Sequence, residues 1–89
     1  MKSHTTRQFR QLFASLPPRV RNQARHAYRL FLQNAAHPGL HFKRVFADPP
    51  MYSARIGIGY RALGALDGET IAWFWIGSHA AYDRLLAEL

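Results

Sequence analysis

His79 and Tyr82 stand three residues apart just after the most apolar run of the chain, Trp73-Phe74-Trp75-Ile76, which ends at Gly77-Ser78. On a helix that spacing places both side chains on one face. An imidazole there can take up and release protons near neutral pH. Ser78 is a suitable N-cap for a helix starting at His79, so exposed backbone N–H groups would lie beside the ring as an anion-binding end. Arg55 and Arg61 flank Gly57-Ile58-Gly59. A three-residue loop there would set the arginines opposite each other on a hairpin, where like charges repel unless an anion lies between them. A two-residue loop would pair Arg55 with Tyr60 and send the arginines to opposite faces. If they converge, their guanidinium groups can neutralise a phosphate and its transition state, while His79 moves a proton and Tyr82 orients substrate or stacks on a base. Such a set can cleave RNA without a metal, using the neighbouring 2′-OH as nucleophile. Tyr82 has a competing structural role, because with Leu85, Leu86 and Leu89 it forms the apolar stripe of the helix it lies on.

Other chemistries lack their residues. The chain has no cysteine, which excludes disulfides and thiolate metal sites. His37-Pro-Gly-Leu-His41 holds two imidazoles, but Pro-Gly breaks the helical face they would need and no third ligand is near in sequence, so no metal site is expected. There is no P-loop, no Gly-x-Ser-x-Gly elbow and no paired-carboxylate constellation, and no cofactor is expected. Twelve Lys and Arg against five Asp and Glu give a net charge of +7, and ten of the twelve cations are arginine. Arginine binds phosphate oxygens bidentately and stacks on bases, so a nucleic acid or an acidic protein is the expected partner. Arg21, Arg25 and Arg29 recur every four residues and stack on one helical face, either as a solvated surface or as phosphate contacts. Lys43 and Arg44, at the start of the strand region, are further candidates for phosphate contact.

These residues need elements to position them. Eighty-nine residues, 48% apolar and 13% aromatic, are enough for one packed domain spanning 1–89 and too few for two cores. Phe9, Leu12, Phe13 and Leu16 form the stripe of a first helix starting near Thr5 or Thr6 and ended by Pro17-Pro18. Pro18 can open a second helix with Val20, Ala24, Ala27 and Phe31 inward, completing a helical hairpin. Beyond Gly39 the period falls to about two. Strands are expected over Leu40–Phe46, Met51–Ile58, Tyr60–Leu66 and Thr70–Gly77, with Asp67-Gly68 as a hairpin turn. The strand over Ile71–Ile76 is apolar on both faces, as for a central strand covered by helices on one side and by something else on the other. The expected fold is α+β: an N-terminal helical hairpin on a roughly four-stranded antiparallel sheet, with a C-terminal helix. The N-terminus offers no signal-peptide core and no stretch approaches the ~20 apolar residues of a membrane span, so a cytoplasmic protein without a membrane partner is expected.

The order of elements and the C-terminal phrase resemble the RelE/ParE superfamily of toxins from type II toxin-antitoxin systems. The resemblance covers most of the chain and rests on the arginine-rich helices, on Tyr52-Ser53-Ala54-Arg55-Ile56 leading to Gly59-Tyr60-Arg61, and on Ile76-Gly77-Ser78-His79-Ala80-Ala81-Tyr82-Asp83-Arg84-Leu85. Gly-Ser-His-x-x-Tyr-Asp is similar to the HigB-like branch. The resemblance implies an mRNA interferase that inhibits translation, with mRNA and the ribosome as targets and a cognate antitoxin as partner in a hetero-oligomer. It further implies that Arg61 and Arg55 hold the phosphate and that His79 assists proton transfer. The chain departs from RelE in having Ser53 where RelE has a lysine able to act as base, a tyrosine closer to the last strand, and no clear strand before the first helix. The ParE branch, which inhibits DNA gyrase without nuclease residues, has the same fold, and a domain that only binds its antitoxin is a third reading.

Overall fold

The structure is a computed structural model describing residues 1–89. Its element order is β1 (Lys2–Thr5), α1 (Arg7–Ala14), α2 (Pro18–Gln33), a 3-10 turn (Pro38–Leu40), β2 (Lys43–Phe46), β3 (Met51–Ile56), β4 (Tyr60–Asp67), β5 (Thr70–Ser78) and α3 (His79–Ala87). The strands form one sheet in the order β1-β5-β4-β3-β2. All pairings are antiparallel except β1 with β5.

The sheet therefore has five strands and is mixed, where four antiparallel strands were expected. The added strand, Lys-Ser-His-Thr, is a polar edge strand with no apolar alternation to reveal it. Its backbone pairs with β5 from Lys2↔Thr70 to Thr5↔Trp73, and Ser3 Oγ lies 2.8 Å from the Tyr28 hydroxyl of α2. β5 is consequently interior but not central; β4 is the middle strand. Leu40 is buried, yet on the 3-10 turn rather than on a strand, and β2 starts only at Lys43.

Thr6 caps α1, its hydroxyl accepting from the Phe9 N–H at 3.1 Å, and Pro18 opens α2. The inward stripe of α2 is as expected: Val20, Ala24, Ala27 and Phe31 are its buried residues. They meet Ala54, Ile56, Ala62, Ile71, Trp73 and Ile76 from the sheet in one core. Phe31 packs edge-on against Trp73 at 5.3 Å. α1 and α2 do not close into a hairpin. α1 lies against β5 with no residue fully buried, and an apolar cleft of about 250 Å³ opens between the two helices, lined by Phe9, Phe13, Tyr28, Phe31 and Trp73. The link across it is the Arg25 guanidinium, 5.2 Å from the centre of the Phe13 ring.

β5 carries one residue more than β4 can pair. Leu63 faces Trp75 and Gly64 faces Trp73, leaving Phe74 as a bulge. Trp73 and Ile76 therefore both face α2, while Trp75 faces the other side, where its ring meets Tyr82 of α3 at 6.5 Å. α3 is the second cover that the doubly apolar strand required. Gly64 sits opposite the bulge, where a Cβ would lie 2.7 Å from the Ile71 side chain and 2.9 Å from Trp73. Gly64→Ala is thus expected to overpack the core and lower unfolding stability by about 1–3 kcal/mol. Gly59→Ala, with open space at its Cβ position, is expected to change it far less; urea denaturation of both variants measures the difference.

Candidate functional site

Strand alternation fixes which side chains share a face. Ala54, Ile56, Ala62 and Ile76 point into the helix-covered core, so Ser53, Arg55, Arg61, Leu63, Trp75 and Gly77 belong to the opposite face. Across three strands Arg55, Arg61 and Gly77 form one row, with Ser53, Leu63 and Trp75 as the next. The three-residue turn over Gly57-Ile58-Gly59 is present, and Arg55 and Arg61 are direct partners. Gly57 has φ of 56°, the left-handed region open to glycine, and a Cβ there would also strike the Gln23 amide at 2.5 Å.

The two arginines share a backbone register but not a destination. Arg55 Nε donates to the Gly57 carbonyl at 2.9 Å, and its Nη1 lies 3.4 Å from His41 Nε2. β2 pairs with β3 only as far as Ser53, so no strand stands beside Arg55, and its guanidinium turns round the open edge into a cleft lined by α2. Arg61 remains on the sheet face. Its Nη1 is buried and has no hydrogen-bond partner. A buried guanidinium nitrogen without an acceptor is a strong and unmet demand for an anion or another acceptor. Opposite Arg61, the Trp75 indole lies over Gly77, where a Cβ would be 2.7 Å from Trp75 Cζ2.

α3 brings His79 to the same face, two residues beyond Gly77. Ser78 caps the helix as expected, its hydroxyl accepting from the Ala81 N–H at 3.1 Å, and the His79 N–H donates to the Gly59 carbonyl at 2.8 Å. The end of the last strand is thereby tied to the turn between the arginines. His79 Nδ1 lies 3.1 Å from Asp83 Oδ2, one helical turn on. Since a carboxylate accepts, the neutral ring carries its proton on Nδ1 and leaves Nε2 as a free base. Tyr82 is 6% exposed, the single buried residue of α3, and meets both Trp75 and the edge of His79. It anchors the helix.

The remaining candidates are dispersed. Lys43 pairs with Ser53 and so shares the Arg61 face, whereas Arg44 pairs with Tyr52 on the helix side and lies 5.7 Å from that ring. Arg21 Nη1 donates to the Leu16 carbonyl at 2.6 Å and Arg25 to Asn22 Oδ1 at 3.1 Å, so both have structural employment. Arg29 is exposed. Sequence reasoning missed Asp83 and Trp75. The first had a readable signal, a His and an Asp four apart on a helix; the second depended on a bulge that alternation does not announce.

The sheet and its helices make a fold found in known toxin structures. A chain of the RelBE2 toxin-antitoxin complex from Mycobacterium tuberculosis is similar with a TM-score of 0.68 and 22% identity, over 88% of this chain and 96% of that one. A copper-bound mutant toxin from Helicobacter pylori is similar with a TM-score of 0.60 and 15% identity, over 91% and 97%. The family model described as the ParE-like toxin domain matches residues 18–84, and the chain belongs to that family, a branch of the RelE/ParE superfamily of toxins. Among curated proteins none matches.

Arg61 gains nothing from its surroundings that would hold the fold together. Arg61→Met, which keeps an unbranched side chain of similar length and removes the unmet donor, is expected to leave unfolding stability unchanged or raise it by about 1–3 kcal/mol. A loss of stability on denaturation would instead mark Arg61 as structural.

Proposed function

We propose that this toxin is an mRNA interferase: a metal-independent endoribonuclease that cuts mRNA at the ribosome, inhibits translation and is neutralised by a cognate antitoxin. The observation that carries the reading is the unmet Nη1 of Arg61 on the face that also holds the His79–Asp83 pair. A phosphodiester seated at Arg61 gives that nitrogen its acceptor and has its growing equatorial charge neutralised as the phosphorus becomes five-coordinate. The attacking oxygen is the 2′-OH next to the scissile phosphate. Its bond to phosphorus forms as the bond to the 5′-oxygen breaks, giving a 2′,3′-cyclic phosphate and a 5′-hydroxyl. One proton leaves the 2′-OH and one arrives at the departing oxygen. His79 Nε2, kept free by the Asp83 contact at Nδ1, transfers one of them. Trp75, half-buried beside the row, supplies aromatic surface of the kind on which an unstacked base rests, whereas Tyr82, expected to position substrate, is buried under α3 and holds Trp75 from below. Ser53 cannot stand in for a surface base, being 1% exposed.

An antitoxin partner is supported by the likeness to a chain of a toxin-antitoxin complex. The ParE-like family model favours a second reading, a gyrase inhibitor without nuclease activity. Mapping transcript ends after induced expression separates the two. Cleaved transcripts without a DNA-damage response are expected here; arrested gyrase with intact transcripts would establish the second.

Loss of one positioned proton-transfer group typically lowers a rate by about 10²–10⁴-fold. His79→Ala and Arg61→Ala are each expected to relieve growth arrest and reduce transcript cleavage by at least about 10²-fold, with antitoxin binding retained. Normal cleavage by both variants would remove the reaction from this face.

A further inference from the structure

Away from the Arg61 face, nitrogen donors gather in a second cleft, of about 690 Å³, between α2, the 3-10 turn and the β3–β4 turn. Arg19, Asn22, Gln23 and His26 reach it from α2, His37 from the 3-10 turn and Arg55 from β3. No carboxylate lines it, and all five acidic residues of the chain lie at or beyond Asp48, so the helices bring no acidic charge to oppose these cations. The one contact of an imidazole with a carboxylate, His79 with Asp83, is on the other face.

The groups of this cleft are oriented. Arg55 spends Nε on the Gly57 carbonyl and has Nη1 3.4 Å from His41 Nε2, which fixes the guanidinium plane and leaves Nη2 as a donor. His37 Nδ1 accepts from the Gly39 N–H at 3.1 Å, so the neutral ring holds its proton on Nε2 and offers a donor there. The Gln23 amide is seated against Gly57 in the space a Cβ would need. Donor-bearing residues thus line the cleft from three sides, with Arg55, His37 and Gln23 held in place and Arg19 and His26 exposed beside them. A tetrahedral oxyanion can accept from several directions at once, whereas a carboxylate has two oxygens in one plane. Only three of the eleven lining residues are hydrophobic, which disfavours an acidic protein segment needing apolar anchors.

We propose that this cleft is a phosphate-binding site distinct from the Arg61–His79 face and held by Arg19, His26, His37 and Arg55. Arg55 connects the two: its backbone is in the row with Arg61 and its guanidinium is in the cleft. An RNA strand with one phosphate at Arg61 can pass the open edge beyond β2 and place a later phosphate here. The site itself does not depend on the nuclease reading, because any phosphate-bearing molecule presents the same oxygens.

The test titrates inorganic phosphate into the full chain while following histidine side-chain nitrogen resonances. Saturable shifts of His26 and His37, with His4 on the opposite edge strand unmoved, are expected. Shifts reproduced by chloride at equal ionic strength, or no saturation, would overturn the site even if the protein cleaves RNA normally. The source is read from anisotropy with 2′-O-methylated oligonucleotides, which cannot be cleaved. If RNA is the ligand, the doubly substituted His26→Gln, His37→Gln chain loses about tenfold affinity for an octanucleotide and none for a dinucleotide. If the octanucleotide is unaffected while the phosphate shifts persist in the wild type, the ligand is a small phosphate compound. Tighter binding of a polyglutamate peptide than of either phosphate ligand would sink the proposal in favour of a protein partner.

Discussion

One extra residue in β5 organises the far side of the sheet. Without the bulge at Phe74, strict alternation would put Trp73 and Trp75 on one face and Ile76 on the other. The inserted residue sends Trp73 and Ile76 to α2 and releases Trp75 to the opposite side, giving α3 an aromatic surface to settle on. It also fixes the phase with which β5 runs out beside β4, so that Gly77, and not a bulky residue, stands opposite Arg61. Gly64 is the counterpart of this arrangement, leaving room for the Ile71 and Trp73 side chains that the bulge crowds together.

Charge is not what holds this fold together. No Lys or Arg pairs with a carboxylate, and the one imidazole–carboxylate contact is exposed on both partners, where solvent screens most of any attraction. Cohesion comes instead from a single apolar core and the aromatic contacts around Phe31, Phe42 and Trp73. Arginines free of carboxylates are therefore available to ligands, and one of them is held with a buried, unanswered nitrogen. The other buried donor without a partner, Trp73 Nε1, lies on a core side chain facing α2, whereas Arg61 is on the far face of the sheet. An unanswered charge there is a local inconsistency of the kind functional sites produce.

The residues that make regular patterns were legible. The α2 stripe and the Ser78 cap follow from periodicity and capping chemistry, whereas the sequence left two turn lengths open and the structure takes the three-residue one that pairs Arg55 with Arg61. What escaped was decided by contacts between distant segments. β1 has no apolar alternation because an edge strand can be satisfied by its backbone partner alone, and KSHT gains its order from β5. The expected hairpin of α1 and α2 opened because the stripe on α1 finds its surface on β5, a choice that intrahelical spacing cannot express. Backbone pairing of the turn decides that the two guanidinium stems stand side by side. It could not show that β2 stops short of Arg55 and leaves an edge for the head group to round.

That last feature bears on how one fold serves different targets. The backbone row of Arg55, Arg61 and Gly77 is set by strand register, which any member with the same turn length would share, and so is indifferent to chemistry. Reactivity enters through side chains at a few positions: a lysine or a buried serine at 53, an arginine that stays on the face or leaves it at 55, an imidazole with or without its carboxylate at 79. Here the first position is silent, the second is turned away, and the third is paired within its own helix. The imidazole is placed by α3 and its cap, while the arginine row is placed by the sheet. The two are built by separate elements joined at the contact of His79 N–H with the Gly59 carbonyl, so substitution in one can leave the other in place.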